Sequence, residues 1–270
     1  MSTSPNPSGT ATARPRLLLA ITLLAAGAIA VSTALIASQP AAAAGAYVAL
    51  GDSYSSGLGA GGSAGGCLRS RRSYVHQLGR RVSSFRACAG ATTGDVLGLQ
   101  LEPFPGNTRL VTITIGGNDA GFSDVIETCL FGTPAACDKR VGRAERFVRR
   151  DLPRRLRRVY EAIRERAPHA TVVVAGYPRL LARRRWCSRV GTIDDREQRR
   201  LNEGSNLLAR TIAAEVRRHR GFRFADVRAA FNGHGVCSSA PRILGISGIG
   251  SFHPTAGGYV AYARVVRRAL

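Results

Sequence analysis

Short apolar runs alternate with longer amphipathic stretches from residue 47 to the end of the chain. The apolar runs, four to six residues long, predict buried strands at 47–50, 85–88, 110–115, 171–175 and 222–227. Helical periodicity predicts helices at 74–82, 93–101, 141–167, 195–220 and 254–270. Pro153 is expected either to begin a second helix or to kink the helix at 141–167. Residues 122–139 are expected to be irregular, and residues 232–250 form a loop rich in glycine and serine.

Strands that alternate with helices predict an α/β fold, a three-layer α/β/α sandwich with a mainly parallel sheet. We expect a single domain over residues 45–270, because the pattern shows no linker, repeat or second core.

The N-terminal segment has the composition of a secretory signal peptide. Residues 1–16 are polar with two arginines, residues 17–37 are free of charge and largely apolar, and alanine-rich cleavage sites follow. The pattern predicts a signal peptide over 1–44, cleaved near residues 44–46, and therefore a secreted, extracellular protein. The apolar run is long enough to span a bilayer, so an uncleaved anchor is the alternative.

Six cysteines suit an exported protein, in which an even number predicts disulfides. Six cysteines allow 15 connectivities. Order along the chain suggests the pairs Cys67–Cys88, Cys129–Cys137 and Cys187–Cys237. No Cys-x-x-Cys occurs and no histidine stands at finger spacing, so neither a structural zinc ion nor another metal or cofactor is expected.

The formal net charge is +22, and nearly all of it is arginine. The densest cluster comprises Arg149, Arg150, Arg154, Arg155, Arg157 and Arg158. This charge would attract anionic lipid headgroups or an acidic polymer, although solvated helix faces explain most of it. Few aromatic residues are interleaved with the arginines, so a specific nucleic-acid surface is not indicated.

Four polar segments follow the ends of predicted strands. They contain Ser53 in Gly51-Asp52-Ser53-Tyr54, Gly90, Asn118 in Gly117-Asn118-Asp119, and His253 followed by Pro254. Loops at the carboxyl edge of a parallel sheet converge, so these segments are expected to meet. A serine at a helix start also has free backbone N–H groups beside it, which can stabilise an oxyanion. Taken singly, Ser53 could cap a helix, and Gly90 and Asn118 could belong to turns.

In this order the four segments resemble those of the SGNH (GDSL-type) hydrolases, and the resemblance runs from about residue 47 to the C-terminus. It implies a flavodoxin-like sheet, Ser53 as nucleophile and His253 as general base. It also implies an oxyanion hole made by the N–H groups of Ser53 and Gly90 and the side-chain amide of Asn118. The six cysteines are similar to those of secreted actinobacterial lipases and esterases of this family, which implies sequential pairing.

Among the other histidines, His76, His169 and His219 are expected to be structural or solvated. His234 is the alternative candidate for the general base. We favour His253, because only His253 precedes a proline at a helix start.

The family usually has an aspartate three residues before this histidine, but here the position is Gly250, and no acidic residue follows Asp226. We expect the main-chain carbonyl of Gly250 to accept the His253 Nδ1–H. The alternative is a remote carboxylate, with Asp194, Asp195 and Asp226 as candidates.

Together these observations predict a secreted serine ester hydrolase of lipase or phospholipase type that works through an acyl-enzyme without a metal or cofactor. Its substrate is expected to be a lipid ester, its surface to contact anionic lipids or polymers, and its state to be monomeric. A short-chain or carbohydrate esterase is the first alternative. A non-catalytic basic binding module is the alternative from another class of protein.

Overall fold

Five parallel strands form the central sheet of the computed structural model, which describes residues 45–182, 187 and 190–270. The predicted signal peptide at 1–44 lies outside these residues. The sheet has the order β4-β1-β5-β6-β7, and a two-stranded antiparallel hairpin, β2-β3, lies apart from it. The strands are β1 (Ala46–Gly51), β2 (Ser63–Ala64), β3 (Arg69–Ser70), β4 (Ser84–Phe85), β5 (Thr108–Thr114), β6 (Thr171–Ala175) and β7 (Phe222–Ala225).

Helices flank the sheet and alternate with its strands, which confirms the predicted α/β fold. They are α1 (Ser53–Ser56), α2 (Tyr74–Gln77), α3 (Thr93–Asp95), α4 (Phe122–Phe131), α5 (Pro134–Arg150), α6 (Leu152–Arg166), α7 (Asp195–Val216) and α8 (Ala256–Arg268). Helix α3 continues as a π-helical segment, Val96–Gln100, and a short 3-10 helix covers Arg228–Phe231. Among the described residues, no helix is both long and apolar enough to cross a membrane.

The ends of several helices follow from local sequence. Reciprocal hydrogen bonds between Thr92 and Asp95 and between Asp194 and Glu197 form capping boxes at the starts of α3 and α7. Pro153 lies in the first turn of α6, where its missing N–H costs nothing, so it begins a second helix rather than kinking one long helix. The last helix begins at Ala256, after Thr255 as N-cap, two residues later than predicted.

The prediction of an irregular segment at 122–139 was wrong, because α4 and the start of α5 occupy it. The buried face of α4 is formed by Val125, Ile126, Cys129 and Leu130, an amphipathic pattern too short to stand out in the sequence. Thr133 caps α5 through its side chain and Pro134 occupies the first turn. The short turn between the two helices is closed by the Cys129–Cys137 disulfide.

Three disulfides are present: Cys67–Cys88, Cys129–Cys137 and Cys187–Cys237. These are the pairs that order along the chain suggests. The first ties the loop before β3 to the segment after β4, two residues before Gly90. It therefore restrains one of the four segments predicted to carry function.

The sheet order creates a crevice at its carboxyl edge. In chain order the five sheet strands run 2-1-3-4-5, the flavodoxin-like arrangement, in which the connections change direction between the first and third strands. Here those strands are β1 and β5, which pair from Ala46 to Gly51. Ser53 follows β1 and Asn118 follows β5, so both come to the crevice where ligands bind in open α/β sheets.

Candidate active site

Ser53 is the first residue of α1 and lies directly beyond the end of β1. The turn depends on Gly51, whose φ is +115° and where a Cβ would lie 2.3 Å from the Thr114 carbonyl oxygen. Asp52 is the N-cap of α1, and its carboxylate accepts the N–H of Tyr54 at 3.0 Å. These constraints hold the Ser53 side chain at the sheet edge, where the residue is 8% exposed.

The loop before α8 brings His253 to Ser53 from 200 positions further along the chain. Its Nε2 lies 2.7 Å from the Ser53 Oγ, and the residue is 7% exposed. A neutral imidazole at this distance can accept the hydroxyl proton and turn the oxygen into a nucleophile. The sequence predicted this pair, and the structure places the two side chains in contact.

The other ring nitrogen, Nδ1, lies 2.9 Å from the carbonyl oxygen of Ser251. The prediction of Gly250 is therefore corrected by one residue. The Gly250 carbonyl instead accepts the backbone N–H of His253 at 3.2 Å, which closes a tight turn and leaves the Ser251 carbonyl to face the ring. An Nδ1–H donated to Ser251 fixes the tautomer in which Nε2 accepts a proton.

The proposed remote carboxylates lie elsewhere. Asp194 caps α7 by accepting the Glu197 N–H at 2.7 Å, Asp195 pairs with Arg199, and Asp226 pairs with Arg228 at 2.6 Å. Within the described part of the chain, no carboxylate bonds to the His253 ring.

Packing around His253 is tight and partly strained. The Tyr54 ring lies against the imidazole with 5.0 Å between ring centroids, and its hydroxyl donates to the Phe252 carbonyl at 2.8 Å. Phe252 has a φ of +60°, a left-handed conformation that is costly for a bulky residue and concentrates at functional sites. Burial lowers the pKa of His253 to about 4, while the nearby backbone carbonyls of Ser251 and Gly250 oppose the shift.

Gly90 and Asn118 lie on the segments that follow β4 and β5. Gly90 has a φ of +84°, which glycine adopts freely, and its N–H donates to no described group. The Ser53 N–H is likewise without an acceptor among residues 45–182, 187 and 190–270. The Asn118 Nδ2 donates to the Ala91 carbonyl at 2.9 Å, which leaves the second amide proton available. These three donors are the ones that the family resemblance implies for an oxyanion hole.

Asp119 fastens the Gly90 segment to the Asn118 segment. Its carboxylate accepts the Thr93 N–H at 2.9 Å and the Thr93 hydroxyl at 2.5 Å, and its side chain is fully buried. The two candidate oxyanion donors are thus fixed relative to each other by a hydrogen-bonded bridge rather than by packing alone.

Sequence analysis missed a buried network around Asp52. The Asp52 carboxylate accepts the Thr114 hydroxyl at 2.6 Å and the hydroxyl of Tyr177, which in turn accepts the Gly117 N–H at 3.2 Å. Burial raises the pKa of Asp52 to about 6 despite these donors. The signal in the sequence was the position of Tyr177, just after the 171–175 strand and so at the same sheet edge. The network joins the ends of β1, β5 and β6 beneath Ser53.

A cavity of about 100 Å³ opens beside Ser53 and Asn118 and extends between α4, α5 and α7. Its walls are mainly apolar, with Glu145 and Ser205 among its few polar residues. Apolar side chains of the three helices that line it include Phe122, Val125, Ile126, Val141, Ala144, Val148, Leu201, Leu207 and Leu208. A narrow apolar cavity beside a nucleophile suits a hydrocarbon chain.

The remaining histidines lie away from this site. His234 makes no hydrogen bond with the described residues of this site, and its Nδ1 lies 2.8 Å from the Ala240 carbonyl oxygen. His219 packs between Tyr160 and Phe222, and His76 packs against Phe85. No three His, Cys, Asp or Glu side chains in the described ranges are grouped so as to hold a metal ion.

The fold and the Ser–His pair define a hydrolase of the parallel α/β class, and comparison with known proteins gives the family. A model of the GDSL-like lipase/acylhydrolase family matches residues 49–261, and the chain belongs to that family. Membership makes it a lipase-type carboxylic ester hydrolase.

Streptomyces proteins are close relatives. Lipase 1 of Streptomyces coelicolor is 44% identical over 247 residues, which are 87% of this chain and 90% of that protein. The crystal structure of an extracellular lipase from Streptomyces rimosus superposes with a TM-score of 0.78 at 41% identity, over 84% of this chain and 100% of that one. A phospholipase A1 from Streptomyces albidoflavus gives a TM-score of 0.79 at 41% identity, with the same coverage of both chains.

Proposed function

We propose that this protein is a secreted serine hydrolase that cleaves acyl esters of lipids through an acyl-enzyme on Ser53. The observation that carries the proposal is the 2.7 Å contact between Ser53 Oγ and His253 Nε2 at the crevice between β1 and β5. Secretion is supported by the three disulfides, by the leader-like composition of residues 1–44 and by the extracellular relative from Streptomyces rimosus.

In the proposed reaction, His253 Nε2 takes the Ser53 proton as Oγ attacks the ester carbonyl. The Ser53 N–H, the Gly90 N–H and the Asn118 amide donate to the oxyanion, and His253 then protonates the departing alcohol. Water, deprotonated by the same imidazole, releases the acid. The Ser251 carbonyl keeps the productive tautomer, although a neutral oxygen stabilises the imidazolium less than a carboxylate does.

The apolar cavity favours a lipid acyl group over the acetyl group of a carbohydrate esterase. An acetyl group would need only the space next to Ser53, whereas the cavity continues between three helices. The phospholipase and lipase relatives agree with this choice.

The test is hydrolysis of p-nitrophenyl esters from acetate to palmitate in the presence of a chelator, with labelling by a serine-reactive fluorophosphonate. We expect turnover that resists the chelator, a preference for chains longer than acetate, and mass-spectrometric localisation of the label to Ser53. No turnover and no label on folded, oxidised protein would favour the binding-module alternative. Turnover confined to acetate would favour the carbohydrate esterase.

The rate of this reaction should persist at acidic pH. The free base of His253 is required, and burial lowers its pKa to about 4, so the acidic limb of kcat/KM should lie near pH 4 rather than near 6.5. The free energy of unfolding should decrease over the same acidic range in which the rate persists. An unfolded histidine takes up its proton first, so the His253 contribution to folding weakens as pH falls from about 6.5 to about 4.

Asp52 also titrates near this range, with a pKa raised to about 6 by burial. Its raised pKa stabilises the fold at low pH and loses that effect as pH rises through about 6. An Asp52→Asn variant removes the titration of Asp52, so that a pH–rate profile measured with p-nitrophenyl butyrate then reports on His253. A limb near 6.5 that persists in Asp52→Asn would contradict the assignment to a buried His253.

Gly204 is expected to set the length of acyl chain that the cavity accepts. It lines the cavity from α7, and a Cβ at this position would meet no atom within 4 Å, so a larger side chain can be accommodated at this wall of the cavity. Gly204→Leu should lower kcat/KM for laurate about 10- to 100-fold relative to butyrate, because a few methylene groups lose their site.

The matched control is Gly142→Leu, a helical glycine of α5 that does not line the cavity. The chain-length profile of each variant is the measurement. An unchanged profile in Gly204→Leu would place the acyl chain elsewhere.

A further inference from the structure

The side chain of Tyr177 lies between the Ser53 turn and the Asn118 segment, and the proposed reaction gives it no part. Tyr177 is 7% exposed, lies two residues beyond the end of β6 and lines the cavity at Ser53. Its hydroxyl donates to the Asp52 carboxylate and accepts the Gly117 N–H at 3.2 Å. Because an N–H can only donate, the single hydroxyl proton is directed to Asp52, which fixes the direction of both bonds.

The two hydrogen bonds of this hydroxyl support each other. Burial and the neighbouring charge of Asp52 raise the pKa of Tyr177 well above its usual value, so the hydroxyl keeps its proton. A carboxylate that accepts this proton polarises the hydroxyl and makes its oxygen a better acceptor for the Gly117 N–H. The charge of Asp52 therefore strengthens a bond that is made to a different segment of the chain.

Gly117 fits closely against the tyrosine. A Cβ at Gly117 would lie 3.2 Å from Cζ and 3.3 Å from Cε1 of the Tyr177 ring, so glycine lets the two segments approach. In the part of the chain that the structure describes, the Tyr177 hydroxyl is the acceptor of the Gly117 N–H, and no backbone carbonyl shares it. The N–H of the peptide that leads into Asn118 is therefore held by one side chain.

The backbone around Tyr177 is itself fixed. The Gly176 N–H donates to the Ala225 carbonyl at 3.0 Å, and the Gly176 carbonyl accepts the Tyr262 hydroxyl at 2.5 Å. The Tyr177 ring packs edge-on against that of Tyr54, with 5.1 Å between the ring centroids. A side chain held in this way determines the position of the groups that bond to it.

Within residues 45–182, 187 and 190–270, the Tyr177 hydroxyl is the one hydrogen-bonded link between the Ser53 turn and residues 115–119. Strand β5, which pairs with β1, ends at residue 114. The Asn118 amide bonds to another segment, at the Ala91 carbonyl. Without the hydroxyl, the amide would be fixed to that segment but not to the nucleophile.

We propose that Tyr177 is a positioning residue that sets the Asn118 amide relative to Ser53. This inference rests on the proposed ester hydrolysis at Ser53. Tyr177 gives no proton to the substrate, because its hydroxyl proton is used within the bridge. Loss of the hydroxyl displaces a donor to the oxyanion, so it weakens stabilisation of the transition state rather than binding of the ester.

The first test is Tyr177→Phe, which removes the hydroxyl and keeps the ring. We expect kcat for p-nitrophenyl butyrate to fall about 10- to 100-fold with KM within about twofold, since misplacement of an active-site group by about 1 Å has an effect of this size. Tyr47→Phe is the matched control, because it removes a buried hydroxyl that bonds to Thr112 at 2.8 Å near the opposite end of β1. The control should lower Tm comparably and leave kcat within about twofold of the unmodified protein.

Coupling to Asn118 separates positioning from a general loss of stability. Tyr177→Phe made in the Asn118→Ala protein should cost less than about threefold in kcat, because no amide remains to be displaced. Gly117→Ala disturbs the same contact from the other side, since its Cβ would lie 3.2 Å from the Tyr177 ring while the hydroxyl is kept. Its loss of kcat should also shrink in the Asn118→Ala protein, and it provides the test if Tyr177→Phe does not fold.

Three results would overturn the inference. They are a loss of kcat in Tyr177→Phe no larger than that in Tyr47→Phe, an equal loss with and without the Asn118 amide, and a raised KM at unchanged kcat, which would make Tyr177 a wall of the cavity alone. Failure of the proposed reaction is distinguishable from all three. Unmodified protein that hydrolyses no ester and takes up no fluorophosphonate at Ser53 would refute that reaction, and this inference with it.

Discussion

Replacement of Ser53 by alanine should lower kcat for ester hydrolysis by about four to six orders of magnitude, the scale on which a serine hydrolase loses its nucleophile. His253→Ala should cost about as much. The 2.7 Å contact makes the two side chains one functional unit, since Oγ is a poor nucleophile without the base and Nε2 has no proton to accept without the serine. The double variant should therefore be no slower than the worse of the single variants.

The measurement is steady-state hydrolysis of p-nitrophenyl butyrate, with circular dichroism and Tm to verify folding. Ser56→Ala and His234→Ala are matched controls. Ser56 belongs to the same short helix and bonds to the Ser53 carbonyl at 3.1 Å, and His234 is the rival base bonded to Ala240. Each control should retain most of the activity. A His234→Ala defect as large as that of His253→Ala would contradict the pairing.

The fold could be predicted because its strands are short apolar runs separated by helical periods. Residues 171–175 were predicted with the bounds of β6, and the 110–115 run overlaps β5 at five of its positions. The strand predicted at 85–88 is only two residues long in the structure, Ser84–Phe85. It lies at the edge of the sheet, where only β1 pairs with it. Edge strands receive pairing from one side alone, so the sequence pattern overstates them.

The site positions were predictable because the carboxyl ends of parallel strands meet, which brings Ser53 and Asn118 together without knowledge of side chains. The choice between the Gly250 and Ser251 carbonyls was not predictable. It depends on a turn that directs one carbonyl to a backbone N–H and on the positive φ of Phe252, and neither has a signature in residue types.

The Asp52–Tyr177 network was hidden for another reason. The sequence pattern predicts Asp52 as an N-cap, which it is. The position of Tyr177 places it at the same sheet edge, but it does not show that its hydroxyl bonds to a carboxylate 125 positions away. Such contacts depend on side-chain directions after the strands are in register. They nevertheless decide whether the Ser53 turn is rigid.

Asn118→Ala should lower kcat about 100- to 1000-fold with little change in KM, because its amide would stabilise the oxyanion only as charge develops. The amide has two protons and one is used by the Ala91 carbonyl at 2.9 Å, so the substitution also removes a tether of the Gly90 segment. Thr93→Val distinguishes the two effects. This substitution weakens the same segment by deleting the 2.5 Å hydroxyl bond to Asp119. It removes no donor from the oxyanion hole, because Thr93 supplies none.

We expect Thr93→Val to lose less than about tenfold in kcat, as befits one hydrogen bond in a bridge that keeps its backbone N–H bond at 2.9 Å. Asn118→Asp should be at least as slow as Asn118→Ala above the pKa of the new carboxyl, since a negative charge would then face the oxyanion. The readouts are kcat for p-nitrophenyl butyrate and the inhibition constant of a phosphonate analogue of the tetrahedral intermediate. Equal losses in Asn118→Ala and Thr93→Val would mean that Asn118 acts by holding the loop, and the oxyanion would then depend on the backbone N–H groups of Ser53 and Gly90 alone.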